Sequence, residues 1–168
     1  MNHLPAVAVL LIASASGPPV AAPRCPSTVQ LLAEVPTFST LFGATGCVTD
    51  SAKAFLIIYG ARDIEGLRTL ARARTAGAQL YALCGLKHLH AEADATALRK
   101  ELSASSKKTA IEFGDPEPVK MTAVSGLVVA KNGQASSDFD TTCDYLIGPG
   151  ARPSRRTCSS SSARLTCR

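Results

Sequence analysis

The densest run of side chains able to do chemistry is CGLKHLHAEAD, residues 84 to 94. Read as one helix, it stacks Cys84, His88 and Glu92 at i, i+4 and i+8 along a single stripe. A thiolate, an imidazole and a carboxylate are ligands that zinc accepts, and Cys84 with His88 has the spacing of a nucleophile and its base. The stripe holds only three such groups, and His90 falls on another face. With no second helix offering a convergent fourth group, it reads better as a packed or bridged cysteine beside surface histidines near a helix end. The acidic run DFDTTCD, residues 138 to 144, offers Asp138, Asp140 and Asp144 to calcium. It lacks the central glycine and terminal glutamate of an EF-hand loop and reads as a solvated loop near a disulfide.

No GxSxG, HExxH, Walker or GxGxxG pattern occurs, and one of the three histidines, His3, falls within the N-terminal segment that reads as an export signal. Histidine-based catalysis therefore has little material, and no cofactor or metal is implied. The expectation is a non-enzymatic domain that binds or builds. The alternative is a small hydrolase or redox protein using Cys84 with His88.

Six cysteines are present: Cys25, Cys47, Cys84, Cys143, Cys158 and Cys167. None forms a CxxC pair, so zinc-ribbon and thioredoxin readings lack support. An even count in an exported chain reads as disulfides, with the pairing left open. Cys84 sits in the most apolar stretch and is equally compatible with a buried free thiol. Export is read from Leu4 to Ile12, apolar apart from Pro5 and followed by small residues. Ala13-Ser14-Ala15 fits the small-x-small cleavage rule and places the signal at residues 1–15, with residue 22 as the alternative end. The stretch is too short for a permanent membrane anchor. The expected location is secreted or periplasmic.

Charge is lopsided. The chain carries 18 Lys and Arg against 13 Asp and Glu, a formal +5. Arg152, Arg155, Arg156, Arg164 and Arg168 all follow Gly150, where no acidic residue occurs, so they account for the whole excess. Such a tail is drawn to anionic glycans, lipid surfaces or a protein partner, with strong salt dependence. It has no aromatic residues for base stacking, which argues against nucleic acid. From residue 148 onward the Pro, Ser and Arg composition reads as disordered.

The elements that must position these groups are mainly helical. Residues 16–46 form an irregular lead-in, with Val29 to Val35 able to make two turns before Pro36. A single globular domain then spans 47–147. Asp50 caps a helix over Ala52 to Tyr59, and Asp63 caps a second with Ile64, Leu67, Leu70 and Ala71 on one face. A third, Ala78 to Leu89, is apolar nearly all round and therefore buried. Asp94 caps a fourth, with Ala95, Leu98 and Leu102 inward and Arg99, Lys100 and Glu101 in water. The expected fold is mainly α, built of short helical hairpins. A small β-hairpin should follow residue 118, with Val119 to Val124 and Leu127 to Ala130 turning at Ser125-Gly126. The alternative is α/β with a small parallel sheet, in which 54–59 and 79–84 are strands and Ala110 to Phe113 a third.

The string AGAQLYALCGL, residues 76 to 86, resembles the inner helix of HEAT-type α-hairpin repeats, where small residues alternate with leucines so that neighbouring helices pack closely. The resemblance covers about residues 50–103. It implies helical hairpins and no particular partner.

Overall fold

The structure, a computed structural model, describes residues 27–42, 47–113, 120–130 and 136–148. Its first helix, α1 (Thr28–Ala33), starts at Ser27, whose hydroxyl accepts from the Gln30 amide while Gln30 Oε1 accepts from the Ser27 amide at 2.8 Å. This reciprocal pair satisfies two of the amides that a helix start leaves open. Thr49 caps α2 (Asp50–Gly60), Asp63 caps α3 (Ile64–Ala71) and Thr75 caps α4 (Ala76–His88). Asp50 thus lies inside the first turn of α2, one residue past its expected place. Fold class is as expected, mainly α. The stretches 54–59 and 79–84, strands in the α/β alternative, are helical.

Two helices end the same way. Arg62 (φ 54°) and His90 (φ 59°) adopt the left-handed region. Behind them Asp63 N–H reaches Ile58 O at 3.1 Å, and Ala91 N–H reaches Leu86 O at 2.9 Å. Arg62 and His90 N–H groups close the inner bonds to Tyr59 O and Lys87 O. Both are Schellman ends, which close the orphan carbonyls of a last turn. The second one delivers the chain straight into α5 (Glu92–Ser103) through Ala91, which supplies no side-chain cap. Asp94, expected to cap this helix, lies inside it and receives Arg68 of α3 at 2.8 Å.

The core is organised around α4, buried at every residue from Ala76 to Leu86. Its small residues are what permit this. A Cβ on Gly85 would stand 2.7 Å from the Leu67 methyls, and one on Gly77 would stand 2.6 Å from the Val35 carbonyl oxygen. α3 and α5 both pack against α4, and α1 lies against α2 and α3. Tyr81 joins an aromatic cluster, 4.7 Å from the Phe38 ring and 5.3 Å from the Phe55 ring. Its hydroxyl donates to the Ser39 carbonyl, accepts from the Ser39 amide at 3.1 Å and lies 3.1 Å from Ser51 Oγ. Burial pushes the Tyr81 phenol above its ordinary pKa despite these bonds.

Phe38 belongs to β1 (Phe38–Phe42), a strand inside the segment expected to be irregular. It pairs antiparallel with β2 (Cys47–Val48) and parallel with β4 (Ile111–Phe113), with Phe38 opposite Ile111. The third strand of the α/β alternative therefore exists without the other two. β3 (Lys108–Thr109) pairs antiparallel with β5 (Thr122–Ala123).

The expected hairpin after residue 118 is corrected here. Among the described residues of this stretch only Thr122 and Ala123 pair in a sheet, their partner is β3, and Ser125-Gly126 lies within α6 (Val124–Val128). Val124, Leu127 and Val128 are the buried residues of this segment. An i, i+3, i+4 spacing suits one face of a helix, where a strand would have needed alternation. The acidic run read as a loop is also helical: α7 (Asp138–Ile147) starts at Ser137 and buries Phe139, Thr142, Cys143 and Leu146 at that same spacing.

Candidate functional site

Two helical triplets face each other across the α4–α7 seam. α4 presents Cys84, Lys87 and His88, and α7 presents Asp140, Cys143 and Asp144, each set at i, i+3 and i+4. Side chains so spaced share one helix face. The two faces match residue for residue. Cys84 and Cys143 form a disulfide between positions 59 residues apart, with Cα atoms at 5.6 Å. Lys87 Nζ lies 3.2 Å from Asp140 Oδ1 and 3.3 Å from Asp144 Oδ1. His88 Nε2 lies 3.1 Å from the same Asp144 oxygen.

α5 joins the seam through Arg99. Arg99 donates through both terminal nitrogens to the two Asp140 oxygens, with Nη1 3.1 Å from Oδ2. Nη1 also donates to the Val128 carbonyl at 2.9 Å, and the guanidinium stands 5.6 Å from the centre of the Phe139 ring. Ser137 Oγ donates to Asp140 Oδ2 at 2.6 Å and accepts from the Asp140 amide at 3.1 Å, so the carboxylate that meets Arg99 also caps α7. Burial alone would push the Asp140 carboxyl up. Arg99, Ser137 and Lys87 outweigh it and hold Asp140 well below the usual carboxylate range. Arg99, expected on the water-facing side of its helix, is therefore half-buried and central to the seam.

The zinc stripe does not assemble. α4 ends at His88, and the left-handed turn at His90 puts Glu92 at the start of a different helix, with His90 Nδ1 4.0 Å away. A different triplet, His88, Cys143 and Asp144, brings its ligand atoms within 4.8 Å of one another. The Cys143 sulfur is bonded to Cys84, however, and a disulfide is not the thiolate that zinc binds. The calcium reading fails on geometry as well: Asp138 and Asp140, two apart on α7, point to different sides.

Of the residues singled out in the sequence, Cys84 and His88 are thus brought together with Cys143 and Asp144. Cys84 and Cys143 are both 0% exposed. Cys47 opens β2. Cys25, Cys158, Cys167, the five tail arginines and the N-terminal stretch lie outside the described residues. Sequence reasoning misses Lys87 and Arg99, and it offers Asp140 only to calcium, not to an ion pair. One signal is available: Ser137-x-x-Asp140, ahead of Cys143 and Leu146, has the spacing of a capping box.

Compared with family models, with curated proteins and with solved structures, the chain matches none. Among the described residues no helix is long and apolar enough to cross a membrane.

Proposed function

We propose that this is an exported, non-enzymatic helical domain that acts by binding or as a structural component, with the arginines after Gly150 directed at anionic surfaces. One observation carries the reading. The best nucleophile–base pair in the sequence is engaged in holding the fold: Cys84 is fully buried in a disulfide, and His88 is turned toward Asp144. A thiolate attack by Cys84 requires first opening a bridge that no solvent reaches. Placement in an oxidising compartment, secreted or periplasmic, is supported by that same bridge and by the signal-like N-terminal sequence. The HEAT-type likeness contributes only the close helix packing that Gly77 and Gly85 allow.

The test replaces Arg152, Arg155, Arg156, Arg164 and Arg168 by serine and keeps every cysteine. The parent should be retained on vesicles containing an anionic phospholipid or on an anionic glycan, and released by salt as the Debye length shrinks below about 8 Å. The variant should pass through both. Equal retention of parent and variant removes the tail from the proposal. Rapid alkylation of Cys84 by iodoacetamide in the folded protein, slowed by His88→Ala, would favour the hydrolase or redox alternative instead. Intact mass from the native host should show loss of the first 15 or 22 residues.

A further inference from the structure

A groove of about 600 Å³ runs between α5, the C-terminal half of α4 and the end of α6. Its floor is apolar: Leu83, Ala95, Val128 and Val129. Val129 remains 51% exposed, one of few large apolar side chains so open among the described residues. A volume of this size falls within the roughly 300–1,000 Å³ usual for small-molecule sites.

The groove is electrically polar along its length. Lys87 and Arg99 turn their charge toward Asp140, whose side chain is only 14% exposed beneath them. Lys100, beside Arg99, is exposed and has no ion-pair partner among the described residues. At the other end stands Glu92, eight residues earlier and therefore about 12 Å away along the helix axis. An apolar trough thus runs from an acidic end to a basic one.

We infer that this groove binds an unbranched alkyl carboxylate, its chain along Ala95, Val128 and Val129 and its head group at Lys100. Charge complementarity fixes the orientation: Glu92 repels the carboxylate and Lys100 attracts it. An alkyl chain covers the floor that Val129 leaves open. The inference rests on the reading of the chain as a binding domain and names a ligand class for it.

Dodecanoate, dodecanol and acetate are titrated into the disulfide-intact chain, followed by backbone amide NMR. Dodecanoate should shift Thr96, Lys100 and Val129 saturably, acetate should not, and dodecanol should bind about tenfold more weakly, a difference of about 1.4 kcal/mol. Lys100→Glu should remove that preference for the carboxylate. Thr96→Trp, at an exposed position on the wall, should abolish binding of both long-chain ligands with unchanged circular dichroism. Equal affinity for acid and alcohol, or an unaffected Lys100→Glu variant, overturns the head-group assignment. Binding that survives Thr96→Trp, or no saturable shift at α5, overturns the groove. Arginine-dependent retention on anionic vesicles would in those cases leave the broader reading standing. Consumption of an added dodecanoyl ester by the parent would overturn both.

Discussion

Arg99 and Asp140, 41 residues apart, meet through two parallel donor–acceptor contacts that tie α5 to the first turn of α7. Because Asp140 is also the capping partner of Ser137, one carboxylate joins a helix start to a long-range ion pair. Asp140→Asn removes the charge from both. The expected loss at neutral pH is about 2 kcal/mol, as for hydrogen bonds to charged groups that keep some solvent contact. The sign of the pH dependence follows from the depressed folded pKa of Asp140. Its contribution is complete above the unfolded value of about 3.9 and is lost as pH falls from there toward the folded one. Urea midpoints of parent and variant should therefore differ clearly at pH 7 and draw progressively together as pH falls below about 3.9. A gap that stays constant over that range would mean Asp140 acts only through its shape.

Reduction should cost more than any single ion pair. The Cys84–Cys143 bridge closes a loop of 59 residues, for which the chain-entropy relation gives about 4 kcal/mol. Peptide mapping of the unreduced protein should recover Cys84 and Cys143 in one linked fragment, and native thiol titration should find neither. Cys84→Ser with Cys143→Ser should lower the urea midpoint while retaining helical circular dichroism, since α4 is also held by its own burial. A variant as stable as the parent would show that packing and the Lys87 and His88 contacts hold the seam without the bridge.

How far the sequence led differs between elements for identifiable reasons. α3 was legible because Asp63 caps a clean apolar stripe, and α4 because apolar residues all round leave no face for water. α7 was missed because its acidic residues dominated the reading, although Phe139, Thr142, Cys143 and Leu146 keep a helical period. α6 was missed because Ser125-Gly126 is also a good hairpin turn, and five residues give little periodicity to arbitrate. At the site, Cys84 and His88 stood out by type. So did Asp140, Cys143 and Asp144, but not as partners of that pair, since spacing within one helix says nothing about which distant helix packs against it. Only the fold brings Asp140, Cys143 and Asp144 to them.

Three glycines in helices should respond to alanine in different ways. Gly60 ends α2 with nothing within 4 Å of a new Cβ, so Gly60→Ala should stabilise by about 0.5–1 kcal/mol through lost unfolded-state freedom. Gly85→Ala places a methyl against the Leu67 side chain, fully buried and short of room to move. Gly77→Ala meets the carbonyl oxygens of Val35 and Thr37, backbone that has to shift. Overpacking of this kind costs about 1–3 kcal/mol. The midpoints should fall in the order Gly60→Ala, parent, Gly85→Ala, Gly77→Ala. Stabilisation by Gly77→Ala would mean that α4 stands farther from the chain after α1 than the structure places it.

The two Schellman ends make a matched pair for testing backbone strain. Arg62 and His90 hold positive φ with a side chain, where a Cβ costs about 1–2 kcal/mol and glycine costs none. Glycine also has more unfolded freedom to lose, which offsets part of the gain. Arg62→Gly and His90→Gly should each stabilise by about 0.5–1 kcal/mol on this balance. Arg62 has no ion-pair partner among the described residues, so its substitution should report strain alone. His90 sits 4.0 Å from Glu92, both exposed, and that weak contact should scarcely reduce its gain. Branched residues sharpen the comparison: His90→Val should destabilise by more than 1 kcal/mol, because a β-branched side chain tolerates this region worst. Hydrogen exchange at Ala91, whose amide closes the outer bond to Leu86, should slow in His90→Gly and quicken in His90→Val. If all three variants melt with the parent, neither turn is held in the left-handed form in solution, and the abrupt passage from α4 to α5 has another cause.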